Sequence, residues 1–172
     1  MDVRARAHLL RAAQHDAHGP LAHVLEQHLL LGIRVRVPDR GDVLAGDAVL
    51  RDVAEILKHS IRVFDVCARF GGEEFAIIMP GSSAENAGTI AERIRQRIET
   101  YRSTDRELAP IRVTVSVGLA VSSAVMTSRE LIARADQALY EAKRAGKNCV
   151  RALGPEDLVR FSMEDRPPRL AD

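Results

Sequence analysis

The sequence predicts an α/β sandwich in which a central mixed β-sheet is flanked by helices. Three observations support this fold class: β-branched apolar runs alternate with segments of helical apolar spacing, a glycine pair separates two strand-like runs, and the 172-residue chain can bury one sizeable core. Hydrophobic residues make up 46% of the chain and charged residues 28%, which is the balance of an ordinary globular domain.

The first half of the chain supplies a helix, a strand, a second helix and a hairpin. Residues 3–14 have the pattern of a short amphipathic helix, and HLLLGIRVRVP is a strand-like run stopped by Pro38. The runs on either side of Gly71 and Gly72 predict a β-hairpin with a tight turn, because primed turns need positive φ. The helix before this hairpin carries one apolar face, formed by Val49, Leu50, Val53, Ile56 and Leu57.

Two capping boxes mark helix starts in the second half. Ser82 with Glu85 predicts the first start, and Thr127 with Glu130 predicts the second, whose helix should end at Gly146. Between these helices, IRVTVSVGLAV alternates apolar with small or polar residues, which is the period of a half-buried strand. NCVRAL is a short closing strand. The first of the two helices carries isoleucines on one face, namely Ile90, Ile94 and Ile98.

Composition disfavours two classes of partner. The net charge is +1 with both signs interspersed, and aromatic residues are 3%, so neither a basic footprint nor stacking platforms for nucleic acid are expected. No apolar run approaches the ~20 residues of a membrane span, and no secretory signal is visible. Cys67 and Cys149 lie outside metal or redox spacing and are expected to be reduced. We therefore expect a cytoplasmic protein.

One family pattern extends over most of the chain. RVFDVCARFGGEEFAIIMPG, with AGDAVLRDVAEIL before it and VTVSVGLAV and ADQALYEAKRAGKNCV after it, strongly resembles the GGDEF domains of diguanylate cyclases. The match is strongest over 44–150. It implies a nucleotidyl-cyclase-like fold, with two domains face to face joining two GTP molecules into cyclic di-GMP. The expected division is an N-terminal helix or linker over 1–20, the GGDEF domain over 21–153 and a mobile tail over 154–172.

The resemblance assigns the catalytic roles to the hairpin. Glu73 corresponds to a Mg²⁺ ligand and Glu74 to a residue at the reacting nucleotide; carboxylates are the hard oxygen ligands that Mg²⁺ prefers. A hairpin tip with two solvated acids is the structural alternative. The resemblance also implies a set of substrate-binding residues, namely Gly71, Gly72, Asp47, Lys143 and Lys147. The two lysines equally suit the C-terminal end of a helix.

The region before the hairpin departs from the family pattern. Asp39 and Asp47 match it. An ungapped count, however, places Leu30 at the position of the metal-binding aspartate, Gly32 at that of a second acid and Val35 at that of the lysine. It places Pro38 at the position of the guanine-reading asparagine and Val43 at that of the histidine. Leucine cannot ligate Mg²⁺, and proline has no side-chain amide to pair with guanine. The catalytic half-site is therefore predicted to be degenerate. A shifted alignment that uses Asp39 or Asp42 is an alternative, and a reading-frame shift in the gene would leave the same pattern.

A second family site is present in full. Arg62 and Asp65 match the Arg-x-x-Asp inhibitory motif that binds cyclic di-GMP, and Arg93 matches the arginine that assists it. Arginine can engage phosphate or a guanine Hoogsteen edge with paired donors, and a carboxylate accepts from guanine N–H groups. An ion pair at a strand entry is the structural alternative.

Three functions remain open from the sequence. The first is a cyclic di-GMP-binding module with a degenerate catalytic half, and the second is an active diguanylate cyclase using GTP and Mg²⁺. The third is an inert protein-interaction domain. The family's chemistry makes a homodimer the expected assembly when ligand is bound.

Overall fold

The computed structural model describes residues 28–36, 43–103, 111–122 and 126–153. The predicted helix over 3–14 and the tail lie outside these ranges, as do Pro38, Asp39 and Asp42. The elements follow in the order β1 (His28–Arg36), α1 (Val43–Lys58), β2 (Val66–Gly71), β3 (Glu74–Pro80), α2 (Ala84–Thr100), β4 (Thr114–Val121), α3 (Ser128–Arg144) and β5 (Val150–Leu153). Each strand and helix predicted within these ranges is present. Within them, every helix is too short or too polar to serve as a membrane span.

The five strands form one mixed sheet in the order β2-β3-β1-β4-β5. β4 and β5 are parallel, and the other neighbouring pairs are antiparallel. The central strand β1 sets the register that matters for the site: Arg34 lies opposite Glu74 on β3 and opposite Ser116 on β4. The hairpin of β2 and β3 therefore forms one edge of the sheet, with its tip beside the end of β1.

Helices cover both faces of the sheet, which confirms the predicted sandwich. The larger core lies between the sheet and the helices α1 and α2, where Leu31, Ile33 and Val35 of β1 are fully buried. The smaller core lies under α3 and includes Leu30 on the opposite face of the same strand. Alternation along β1 thus sends successive side chains to different helices.

The strand β4 is buried on both faces, so the prediction of a half-buried strand was wrong. Gly118 and Ala120 belong to the face beneath α3 rather than to solvent. A Cβ on Gly118 would lie 2.3 Å from the carbonyl oxygen of Ala135 and 2.3 Å from the backbone nitrogen of Leu139. Small residues on this face therefore mark a helix packed directly on the strand rather than a solvated surface.

The N-terminus of α2 differs from the predicted capping box. Ser83, not Ser82, is the N-cap, and its hydroxyl accepts a hydrogen bond of 3.2 Å from the backbone nitrogen of Asn86. The helix begins at Ala84, so Glu85 lies in its first turn and not at the position that a box with Ser82 requires. The predicted box was wrong by one residue.

Both ends of α3 follow the prediction. The backbone nitrogen of Thr127 donates to the Glu130 carboxylate at 2.8 Å, and the backbone nitrogen of Glu130 donates to the Thr127 hydroxyl at 3.3 Å. Gly146 has a φ of 108° just beyond the C-terminus, and the backbone nitrogen of Lys147 donates to the carbonyl of Ala142 at 3.0 Å. This bond is the one expected of a Schellman motif. The helix that carries Lys143 is thus fixed at both ends.

Candidate functional site

The tip of the hairpin is a turn through Gly72 and Glu73, because Gly71 pairs with Glu74 across it. The expected positive φ was wrong: neither glycine has one. The register shifts between Arg69 and Gly71, and such a bulge supplies the twist that a primed turn would otherwise provide. The Arg69 guanidinium donates to the Gly72 carbonyl from Nε at 2.8 Å and from Nη2 at 2.5 Å. The turn is therefore held by a side chain of its own strand.

Arg34 on the neighbouring strand β1 lies against both glutamates of the hairpin. Its Nε donates to Oε1 of Glu73 at 2.6 Å, and its Nη1 lies 3.5 Å from Oε1 of Glu74. The hydrogen bond to Glu73 is the main reason that the pKa of Arg34 is raised above its ordinary value. The backbone nitrogen of Val35 also donates to the carbonyl of Glu73 at 3.0 Å. A cation of the chain itself thus offsets one of the two negative charges of the tip.

Sequence reasoning missed Arg34, because its role depends on strand register. The only sequence signal is an arginine inside the β-branched run GIRVRV. In a half-buried strand such a residue is ordinarily read as a solvated side chain. The register places it opposite Glu74, which converts that solvated residue into the direct neighbour of the acidic turn.

The residues at the hairpin do not fit a Mg²⁺ ion. Leu30 lies opposite Ile78, away from the tip, and is 5% exposed in the core under α3. Asp47 is exposed on α1 and lies 3.8 Å from Nη2 of Arg69. In the part of the chain that the structure describes, no three His, Cys, Asp or Glu side chains are grouped closely enough to hold a metal. Because Arg34 is hydrogen-bonded to Glu73 and competes with a divalent ion for that carboxylate, Glu73 is a poor Mg²⁺ ligand.

Asp136 on α3 is a further acid beside the hairpin that sequence reasoning missed. Together with Phe70, Glu74 and Leu30 it lines a small cavity of about 40 Å³. Burial is the main cause that raises the pKa of Asp136, the negative charge of Glu74 adds to the increase, and Lys143 opposes it. The sequence signal that could have identified Asp136 is its position directly after Ala135, on a helix that packs on the sheet.

The two predicted phosphate-binding lysines lie at the C-terminal end of α3. Lys143 is half-buried in the last turn, and Lys147 is exposed with a φ of 65°. Asn148, also left-handed at a φ of 46°, accepts from Arg95 at 3.1 Å and donates to Glu99 at 2.7 Å. Among the described residues, no hydrogen bond or ion pair joins either lysine to the hairpin glutamates.

A second site lies where the end of α1 meets α2. Arg62 and Arg93 line one cavity of about 370 Å³, together with Ser60 and Arg97. Nη2 of Arg93 donates to the carbonyl of Ser60 at 2.7 Å, and Nη1 of Arg97 donates to the Ser60 hydroxyl at 3.0 Å. These partners are neutral. The three guanidinium groups therefore give the cavity a net positive charge that its own hydrogen bonds do not cancel.

Asp65 lies beneath this cavity rather than in it. The residue is 1% exposed, and its Oδ2 accepts from the backbone nitrogen of Arg62 at 2.8 Å. Its Oδ1 is buried and has no hydrogen-bond partner among the described residues. The carboxylate thus holds the turn between Arg62 and Asp65, whose middle residues Val63 and Phe64 are 91% and 60% exposed. The Arg62 guanidinium carbon lies 5.7 Å from the centre of the Phe64 ring, a cation–π distance.

Known proteins are similar to this chain in sequence and in fold. The family model described as "Diguanylate cyclase, GGDEF domain" matches residues 40–149. Diguanylate cyclase A of Treponema denticola is 42% identical over 107 residues, which are 62% of this chain and 29% of that protein. The probable diguanylate cyclase DgcT of Escherichia coli is 41% identical over 107 residues, 61% of this chain and 24% of the relative. The chain thus spans less than a third of the length of these relatives.

Solved structures agree with this family. The GGDEF domain of DgcB from Caulobacter crescentus, in complex with c-di-GMP, superposes with a TM-score of 0.66 at 29% identity, covering 84% of this chain and 85% of that one. The diguanylate cyclase SiaD from Pseudomonas aeruginosa, in complex with its activator SiaC, gives a TM-score of 0.70 at 29% identity, covering 88% and 57%. With the family model matching more than half of its residues, the chain belongs to the GGDEF diguanylate cyclase domain family.

Proposed function

We propose that this GGDEF domain of bacterial cyclic di-GMP signalling binds cyclic di-GMP at the cavity of Arg62 and Arg93, and that its cyclase activity is weak or absent. The observation that carries the proposal is a contrast in charge. In the described part of the chain, the guanidinium groups of Arg93 and Arg97 donate to neutral oxygens of His59 and Ser60. The hairpin glutamates, in contrast, already lie beside Arg34. The cavity therefore retains cations that can take an anionic ligand, whereas the acids of the hairpin already share a cation of the chain.

The cavity has the chemistry that a cyclic dinucleotide requires. Cyclic di-GMP carries two phosphodiester charges, and guanidinium groups form paired, charge-assisted hydrogen bonds with phosphate or with the Hoogsteen edge of guanine. A volume of about 370 Å³ is within the range of ligand sites. The free Oδ1 of Asp65 is the acceptor that a guanine N–H group would use if the turn above it opened. Arg62 and Arg93 are thus assigned to binding, and Asp65 to holding the turn and accepting from the base.

The ligand also favours a dimer. Its two guanylate halves are chemically identical, so a second copy of the same cavity can engage the half that the first leaves exposed. We therefore expect two copies of the chain to share ligand. Light scattering with and without cyclic di-GMP should show the mass double when ligand is added.

Isothermal titration calorimetry with cyclic di-GMP tests the proposal. The wild type should release heat, and Arg62→Ala or Arg93→Ala should weaken binding by about tenfold or more, since a hydrogen bond to a charged group contributes about 1.5–3 kcal/mol. Arg51→Ala is the matched control, because it removes one exposed charge from α1 outside the cavity and should bind as wild type does. Absence of binding heat in the wild type would refute the proposal, and an equal loss in Arg51→Ala would reduce it to nonspecific charge attraction.

Diguanylate cyclase activity is the second candidate, favoured by the 42% identity to a diguanylate cyclase and by the exposed glutamates of the hairpin. Incubation with GTP and Mg²⁺ followed by chromatography of the products tests it. We expect little or no cyclic di-GMP. Product formation that Glu73→Gln abolishes would establish the second candidate instead, whereas formation indifferent to that change would point to a contaminating enzyme.

A further inference from the structure

Three acids around the hairpin lie beside two arginines of the same chain. Arg34 bonds to Glu73 at 2.6 Å and lies 3.5 Å from Glu74, while Arg69 lies 3.8 Å from Asp47. All of these side chains are about half exposed, so each pair contributes little to folding stability. These pairs affect metal binding instead, because each carboxylate that a divalent ion would need already lies beside an arginine.

We propose that Arg34 is a built-in cation that takes the place of a divalent metal at the GGEEF hairpin. The guanidinium lies on the strand that runs beside the turn, and it reaches both glutamates from a single residue. A metal would have to displace the guanidinium from Glu73 and then bind near a positive charge on the adjacent strand. The hairpin therefore holds a cation of its own beside its carboxylates without metal.

The backbone pairing of β1 beside the turn also supports the proposed role of Arg34. Val35 donates its backbone nitrogen to the carbonyl of Glu73 at 3.0 Å, so the ladder of β1 continues to the turn itself. Arg34 is consequently held within a paired strand on both sides, by β3 and by β4. The backbone therefore fixes where the Arg34 side chain begins, and from there its guanidinium reaches both glutamates.

The inference deepens the proposed loss of the metal half-site and is independent of cyclic di-GMP binding at the other cavity. Manganese is a suitable probe, because Mn²⁺ takes the same oxygen ligands as Mg²⁺ and is detected directly by electron paramagnetic resonance. In the wild type we expect no binding at submillimolar Mn²⁺. In Arg34→Gln we expect the affinity for Mn²⁺ to rise about tenfold or more, since removing an adjacent unit charge frees both carboxylates.

Arg36→Gln is the matched control, because it removes the same charge from the same face of β1 without touching Glu73. It should leave Mn²⁺ binding as in the wild type. Glu73→Gln added to Arg34→Gln should abolish the gain. Equal binding in wild type and Arg34→Gln, or an equal gain in Arg36→Gln, would overturn the proposal.

If Arg34→Gln fails to fold, a second measurement on the wild type tests whether the hairpin binds metal. Nuclear magnetic resonance during a Mn²⁺ titration reports which backbone amides are broadened by the paramagnetic ion. The proposal expects no selective broadening at residues 72–75. Selective broadening there at submillimolar Mn²⁺ would refute it, while calorimetry with cyclic di-GMP would still report separately on the proposed function.

Discussion

Among the glycines that the structure describes, Gly118 is the one whose replacement with alanine should destabilise the domain most. Gly118 lies at the centre of β4, directly beneath α3. An added Cβ would meet the carbonyl oxygen of Ala135 at 2.3 Å and the backbone nitrogen and Cα of Leu139 at 2.3 and 2.8 Å. All three are backbone atoms of a capped helix, so no side chain can rotate away to make room.

The magnitude follows from these distances. Ordinary contact begins at 3.4 Å, so α3 must move away from the sheet by about 1.1 Å. Overpacking of this kind costs about 1–3 kcal/mol or more, and the lower chain entropy of alanine offsets about 0.5–1 kcal/mol of it. Because every contacted atom is backbone, the upper end of this cost applies, and we expect the free energy of unfolding to fall by about 2 kcal/mol. The melting temperature should then be lower by roughly 4–8 °C for a domain of this size.

Gly32→Ala is the matched control, because Gly32 is the cross-strand partner of Gly118 on β1. Its added Cβ would lie 3.7 Å from Leu139 Cδ2 and 3.8 Å from the carbonyl oxygen of Ala135, which are ordinary contacts. Urea unfolding followed by circular dichroism should therefore leave Gly32→Ala within about 1 kcal/mol of the wild type. If Gly118→Ala were equally well tolerated, the close packing of α3 on β4 and the register of this region would be incorrect.

Two further changes concern α3 itself. Thr127→Ala removes the N-cap hydroxyl that accepts from Glu130 and should lower the free energy of unfolding by about 1 kcal/mol in urea titrations, whereas Thr127→Ser should retain most of it. For Asp136, burial and Glu74 raise the pKa, so the native state holds its proton more tightly than the unfolded chain does. Stability should therefore fall as pH rises from the ordinary value of 3.8 through the raised pKa. Asp136→Asn should lack this fall and be more stable at neutral pH; an unchanged pH profile would contradict the assignment.

Periodicity was sufficient for the fold because each element buries a regular face. The isoleucines at 90, 94 and 98 are 7% exposed or less, as their helical spacing predicted. Periodicity failed to predict burial where both faces of a strand are covered by helices. On β4, Gly118 and Ala120 look like the open face of a strand, since small residues carry no hydrophobic signal, and only the position of α3 reveals that they are covered.

The candidate sites were predictable to different degrees for a related reason. Arg62 and Arg93 were identified from motif residues, and the fold brings them into one cavity although the whole β2–β3 hairpin and the first half of α2 lie between them in sequence. Arg34 and Asp136 could not be identified in this way. Their relevance depends on register and on which helix face meets the hairpin, and neither is encoded in a local pattern.

The predicted loss of the metal half-site is interpreted differently once the register is known. The ungapped count drew attention to Leu30, a residue that cannot ligate a metal, and suggested a site that is merely incomplete. In the structure Leu30 pairs with Ile78 in the core, and the residue opposite Glu74 is Arg34. An incomplete site would leave Glu73 free to recruit a metal from solvent, whereas a cation fixed 2.6 Å away competes with every such ion. We therefore propose that Arg34 competes with a metal for the hairpin, and we expect that restoring a carboxylate elsewhere would not reactivate it while Arg34 remains.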